Sequence, residues 1–178
     1  MITVLAVTFA AAAVAPWIFR KIGRSSFYVL AAVPAASLVW LVAQYGLVYP
    51  EGSPTGGFIE ESLPWIPELK LEFAFRMDVL SWVMSLLVLG VGTLVLVYCA
   101  RYFKDKDGYL GGFGAQLLAF AGAMFGLVTA DDLLMMFIFW ELTTVLSYLL
   151  IGYARTRSED RPDMAGALLR HGGRGARQ

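Results

Sequence analysis

Cysteine, histidine and charge are all scarce in this chain. The one cysteine, Cys99, excludes an internal disulfide and a multi-cysteine metal site. The one histidine, His171, leaves no material for a histidine-based metal centre or catalytic triad. Cys99 closes an apolar run and reads as a small buried hydrophobe. Charged residues make up 16% of the chain, against about 25% in an ordinary soluble domain. The formal net charge is +0, so there is no basic excess to draw the protein onto nucleic acid. What the chain has in plenty is apolar surface: 58% of its 178 residues are hydrophobic and its mean hydropathy is +0.66. A soluble enzyme is the class this composition supports least.

Five stretches, Ile2–Phe19, Phe27–Val48, Val79–Ala100, Gly112–Val128 and Leu133–Tyr153, are free of Lys and Arg. Each is close to the roughly 20 apolar residues that one membrane-spanning helix needs. They predict an all-α membrane protein with five transmembrane helices in residues 1–153. The first run lacks the basic leader of a signal peptide and is followed by Arg20, Lys21 and Arg24, so it reads as a retained helix. Arg101, Lys104 and Lys106 mark the third connection, and Arg155, Arg157 and Arg161 mark the tail. The second connection is acid-rich, with Glu51, Glu60, Glu61, Glu68 and Glu72, and the fourth holds only Asp131 and Asp132. Counting Lys and Arg, the positive-inside rule places the N-terminus outside the cell membrane and the C-terminus in the cytoplasm. Residues 49–78 then form an outer loop, rich in turn residues, with one short strand where Leu69, Leu71, Phe73 and Phe75 alternate. Tyr49 and Trp65 fall at headgroup level. Residues 154–178 read as a disordered cytoplasmic tail.

Glu141 is the first functional candidate. It lies nine residues into the fifth run, close to the bilayer midplane at about 1.5 Å per residue. A central Asp or basic residue costs about 2.5 to 3.5 kcal/mol on insertion scales, while each Leu, Ile, Phe or Val returns about 0.3 to 0.6. The surrounding leucines and phenylalanines outweigh that penalty, so the helix inserts and carries the acid with it. Intramembrane acids face a bundle interior or a hydrated path. The bland alternative is a protonated Glu in a structural hydrogen bond, with Thr144 or Ser147 for company. Asp78, Asp131 and Asp132 rank second, because an acid at a helix N-terminus is explained by capping before ion handling. Gly122 and Gly126 form a GxxxG that indicates close helix packing, and Pro34 predicts a kink in the second span.

The stretch Phe139-Trp140-Glu141-Leu142-Thr143-Thr144-Val145-Leu146-Ser147-Tyr148-Leu149-Leu150-Ile151-Gly152 resembles the fifth transmembrane helix of the large antiporter-like subunits. Ala130-Asp131-Asp132-Leu133-Leu134-Met135-Met136 and Arg76-Met77-Asp78-Val79-Leu80-Ser81 are similar to segments of the same family. Two relatives share the pattern: the A subunit of the multisubunit Mrp-type sodium/proton antiporter, and the largest antiporter-like membrane subunit of respiratory complex I. Phe-Trp-Glu-Leu-Thr-Thr looks like the antiporter.

The resemblance implies that Glu141 carries protons and pairs with a Lys on a later helix. It also implies that the partners are other membrane subunits, that the substrates are protons and monovalent cations with sodium first, and that no cofactor is required. A proton-pumping subunit of an NADH-quinone oxidoreductase and a non-transporting scaffold or remnant are the alternatives. Family members continue into a sixth helix through a segment like Gly166-Ala167-Leu168-Leu169, where this chain turns to Arg170-His171-Gly172-Gly173-Arg174. The expectation is a truncated, frameshifted form of a longer subunit that does not transport by itself.

Overall fold

A computed structural model describes residues 1–50, 56–66, 71–103 and 110–159, with side chains described outside 65–66, 71–72 and 153–159. The chain is mostly helical. Its elements are α1 (Ile2–Ile22), a 3-10 turn (Gly23–Ser25), α2 (Ser26–Ala43), α3 (Tyr45–Val48), β1 (Ile59–Ile66), β2 (Leu71–Met77), α4 (Val79–Tyr102), α5 (Leu110–Thr129) and α6 (Leu133–Glu159). Among the described residues, 4 helical runs are long and apolar enough to cross a bilayer: Ile2–Ala43, Val79–Tyr102, Leu110–Thr129 and Leu133–Gly152.

The first run folds back on itself. Gly23 ends α1 at a φ of 67°, a left-handed conformation open to glycine, and its N–H donates to the Phe19 carbonyl. Val4 and Val7 near the start of α1 consequently line one groove with Ala36, Ser37 and Trp40 near the end of α2. α2 runs through Pro34 without ending there. The second predicted span is divided, because α2 stops at Ala43 and the short α3 follows.

α5 packs against α1, α4 and α6, and glycines bring the backbones close. A Cβ added at Gly114 would sit 2.8 Å from the Phe19 ring, and one at Gly122 would sit 2.8 Å from Thr8 Cγ2. The interior divides into two clusters. One gathers Ala15, Phe19, Phe27, Leu96, Phe103 and Leu118, with Phe27 stacked on Phe103 at 5.8 Å and edge-on to Phe19 at 4.8 Å. The other gathers Leu5, Leu41, Phe75, Met77, Leu89, Phe125, Phe139 and Leu146. Outside these clusters the helices expose large apolar side chains such as Val39, Leu94 and Leu133, the surface expected of helices solvated by lipid.

Two expectations need correcting. The outer loop holds not one strand but an antiparallel hairpin, in register from Ile59↔Met77 to Leu63↔Phe73 and irregular between Pro64 and Ile66. Consecutive Glu60 and Glu61 break the alternation that marks a strand and Pro64 argues against one, so β1 is recognisable only through its partner. A lone strand leaves its ladder groups unpaired, and pairing with β1 satisfies one edge of β2. The second correction is that α6 remains helical to Glu159, where a disordered tail is expected from residue 154. The remainder of that tail (160–178), the start of the expected strand (Leu69 and Lys70), Lys104 and Lys106, and the Trp65 side chain lie outside the described residues.

Candidate functional site on the exposed face of the last helix

α6 has two unlike faces. Met135, Phe139 and Leu146 are buried at helical spacing against the bundle. Phe137, Trp140, Val145 and Tyr148 are exposed, and Glu141 lies among them. Two residues advance a helix by about 200°, so burying Phe139 turns Glu141 to the other side. Eight positions separate Leu133 from Glu141, about 12 Å along the axis, which sets the carboxyl well below the helix start. Among the described residues, no ion pair or hydrogen bond engages the Glu141 side chain.

The local company expected for Glu141 is otherwise occupied. Thr143 and Thr144 donate their hydroxyls to the Trp140 carbonyl at 2.7 and 3.1 Å, and Ser147 donates to the Thr143 carbonyl at 2.6 Å. These bonds return to the helix's own preceding turn. They leave the acid to be satisfied from outside the helix.

Asp78 behaves as its capping explanation predicts. Its Oδ1 accepts from the Ser81 N–H at 2.8 Å at the start of α4. That bond, the Ser81 hydroxyl and the Arg76 charge outweigh partial burial and hold its carboxyl below the usual value. Asp131 and Asp132 are exposed, and their backbones make the contacts. The Asp131 N–H donates to the Ala74 carbonyl of β2 at 3.0 Å, and the Asp132 carbonyl accepts the Met136 N–H at 2.9 Å. Phe75 also bridges to Ala130. The hairpin therefore holds the α5–α6 connection, bringing Asp131 and Asp132 to the end of the bundle where Asp78 starts α4, with Glu141 deeper along α6. Among the described residues no group of His, Cys, Asp and Glu is arranged to hold a metal ion.

Glu61 does not stand out from the other loop acids in the sequence, yet it organises this end. Its Oε2 accepts from the Met1 ammonium at 2.7 Å and from the Ile2 N–H at 2.9 Å, tying the hairpin to the start of α1. Partial burial pushes the carboxyl up, but the ammonium and the amide bond prevail and hold it below its ordinary value. No local motif marks such a contact across the sequence, and a run of acids in one loop is its only trace. At the same end Tyr45, Tyr49 and Trp82 form an aromatic cluster, and the Trp82 indole donates to the Leu41 carbonyl at 2.8 Å.

Comparison with known proteins bears out the resemblance. The family model for NADH-ubiquinone oxidoreductase (complex I), chain 5 N-terminus, matches residues 65–110. The A subunit of a Na(+)/H(+) antiporter of Alkalihalophilus pseudofirmus is 42% identical over 109 residues, which are 61% of this chain and 14% of that protein. The A/B subunit of a probable K(+)/H(+) antiporter of Rhizobium meliloti is 41% identical over 119 residues, 67% of this chain and 12% of that one. Among solved structures, the Mrp complex from Dietzia sp. DQ12-45-1b superposes with a TM-score of 0.70 at 34% identity, covering 84% of this chain and 15% of that chain. The chain thus spans about a seventh of the length of these relatives.

Proposed function

We propose that this chain is a membrane segment of a monovalent cation/proton antiporter, and that Glu141 carries protons within it. The observation that carries the reading is a mid-helix carboxyl on the exposed face of α6, in a chain 42% identical over 109 residues to the A subunit of an antiporter. An ionisable group left against lipid at the bilayer centre costs about 3 kcal/mol or more. That cost is removed if this face lies against another helix or a hydrated path rather than lipid. The partners in this reading are other membrane subunits of the antiporter. The relatives' names include both Na(+) and K(+), so the substrate is assigned as protons and a monovalent cation, with sodium first.

The reading has five membrane crossings, since α1 and α2 extend about 31 and 27 Å at 1.5 Å per residue and each is long enough alone. The basic α1–α2 turn then faces the cytoplasm, with the hairpin and the N-terminus outside. Cysteines at Arg24 and Glu60, in a background lacking Cys99, should label with an impermeant thiol reagent from opposite sides; labelling from one side would refute the topology.

The decisive experiment is Glu141→Gln in this chain assembled with the other antiporter subunits. Cation-dependent proton flux in everted vesicles should fall to background, and unchanged flux would leave the scaffold reading standing. The 178-residue chain alone in proteoliposomes should show no such flux. The match of residues 65–110 to the complex I model favours a second reading, a proton-pumping subunit of an NADH-quinone oxidoreductase. Redox subunits co-purifying with the chain would establish it.

A further inference from the structure

The GxxxG of α5 is not a symmetric seam, because its two glycines receive different helices. Gly122 accepts Thr8 of α1, whereas a Cβ at Gly126 would lie 2.6 Å from both Cδ1 and Cζ of Phe139 on α6. Ordinary contact is 3.4–4 Å, so the Phe139 ring rests directly on the α5 backbone. Phe139 is buried, with the Phe75 ring 6.0 Å away and tilted by 57°. The start of α6 is held separately, by the Asp131 N–H on the Ala74 carbonyl.

We propose that Gly126 and Phe139 are positioning residues for Glu141: the ring seated in the glycine notch sets the rotation of α6, and with it the direction in which the carboxyl points. The proposal rests on the proton-carrying role assigned to Glu141. α5 carries no titratable side chain between Leu110 and Thr129, so what it supplies to Glu141 is orientation rather than charge. The hairpin meets the start of α6 through the Ala74 and Phe75 backbone and holds Phe139 with the Phe75 ring, again without charge. A methyl group at Gly126 must therefore displace either α6 or the ring. The ring borders a wholly apolar cavity of about 240 Å³, lined also by Leu5, Phe9, Phe73 and Phe75. Entering it requires a rotamer change, and a helix leaves few rotamers open to a phenylalanine. The helix is the part that yields.

The test is Gly126→Ala, alone and combined with Phe139→Leu, in a background where Cys99 is replaced by Ala. Spin labels at Leu87 on α4 and Tyr148 on α6, both exposed, report the helix position in the reconstituted chain. Labelling by dicyclohexylcarbodiimide, which takes protonated carboxyls, reports Glu141 by mass spectrometry across pH. Flux is measured with the other antiporter subunits present. Gly126→Ala should shift the spin-label distance, move the pH midpoint of Glu141 labelling and lower flux by up to about a hundredfold, and the double variant should restore all three. If Gly126→Ala does not assemble, Phe139→Leu alone should broaden the distance distribution and shift the labelling midpoint.

An unchanged distance, with the ring accommodated by the cavity, overturns the proposal, as does a shifted distance with labelling and flux intact. A shifted distance and labelling midpoint in a protein whose Glu141→Gln variant keeps full flux overturns instead the proton-carrying role, leaving the positioning of the carboxyl in place.

Discussion

α5 and α6 are adjacent, similarly apolar and both long enough to span a bilayer, yet 39% of the most apolar stretch of α5 is buried inside the fold against 17% for α6. α5 does this with glycine and alanine, admitting α1, α4 and α6 on different sides. α6 uses one face on the bundle and leaves the other, which contains the chain's mid-helix acid, uncovered. Hydrophobicity alone does not separate a hub helix from a peripheral one. Residue size around the helix does, because in lipid the driving force for association is close packing rather than escape from water. The acidic residue sits on the face that these helices leave unpacked, and that arrangement fits a site shared with something else.

The contrast predicts opposite consequences for equally apolar positions. Leu118 of α5 is fully buried, and Leu118→Ala should destabilise the fold by about 2 to 5 kcal/mol, lowering the thermal midpoint in detergent. Leu133 of α6 is 78% exposed, and Leu133→Ala should change stability by no more than about 0.5 kcal/mol. Similar losses at both sites would mean that the outer face of α6 is packed against the bundle.

A slightly smaller effect, with reversed sign, is expected at the acid. In the isolated chain Glu141→Leu replaces a costly group by a favourable one and should improve membrane insertion of α6 by about 3 kcal/mol, read as the inserted fraction in a translocation assay. In the assembled transporter the same substitution should eliminate proton flux. A gain in one setting and a loss in the other is the signature of a residue kept for function rather than for folding. A loss in both would argue that Glu141 stabilises this segment.

Overpacking at the notches comes next. Gly122→Leu drives a side chain into Thr8 and should cost about 1 to 3 kcal/mol, while Gly90→Leu, whose Cβ direction is open, should cost far less. Detergent melting of the two variants side by side measures the difference.

What can be read from the sequence follows the range of the interaction. Apolar runs announce the helices, since one residue type over twenty positions is a local signal. Asp78 is legible as a cap because its partner is Ser81, a few positions away. Glu61 and β1 are not, because their partners are α1's first residues and β2. The side to which Glu141 points is equally hidden: α6 is apolar nearly all round, so its pattern gives no facing, and the facing comes from Phe139 meeting a glycine on another helix. The end of α6 is hidden too, because loss of hydropathy ends a membrane run, whereas a helix continues as long as its backbone bonds do.

The smallest effect concerns the contrast between an acid held by local bonds and one left open. Asp78→Ala removes the α4 cap and should cost about 1 kcal/mol at neutral pH. Because the folded carboxyl is held below its ordinary value of 3.8, its contribution is complete above that pH and is lost as pH falls through the still lower folded value. The stability gap between wild type and Asp78→Ala should therefore be constant from neutral pH down to about 5 and narrow only in more acid solution. Asp78→Asn keeps an acceptor oxygen without a titrating charge, so it should retain much of the cap and show a flatter acid profile. Melting temperatures of the three proteins across pH separate the cap's neutral hydrogen bond from its charge. A gap that instead widened toward low pH would mean that the protonated form is the one the fold prefers, and Asp78 would then belong with Glu141 among the candidate proton sites rather than among the caps.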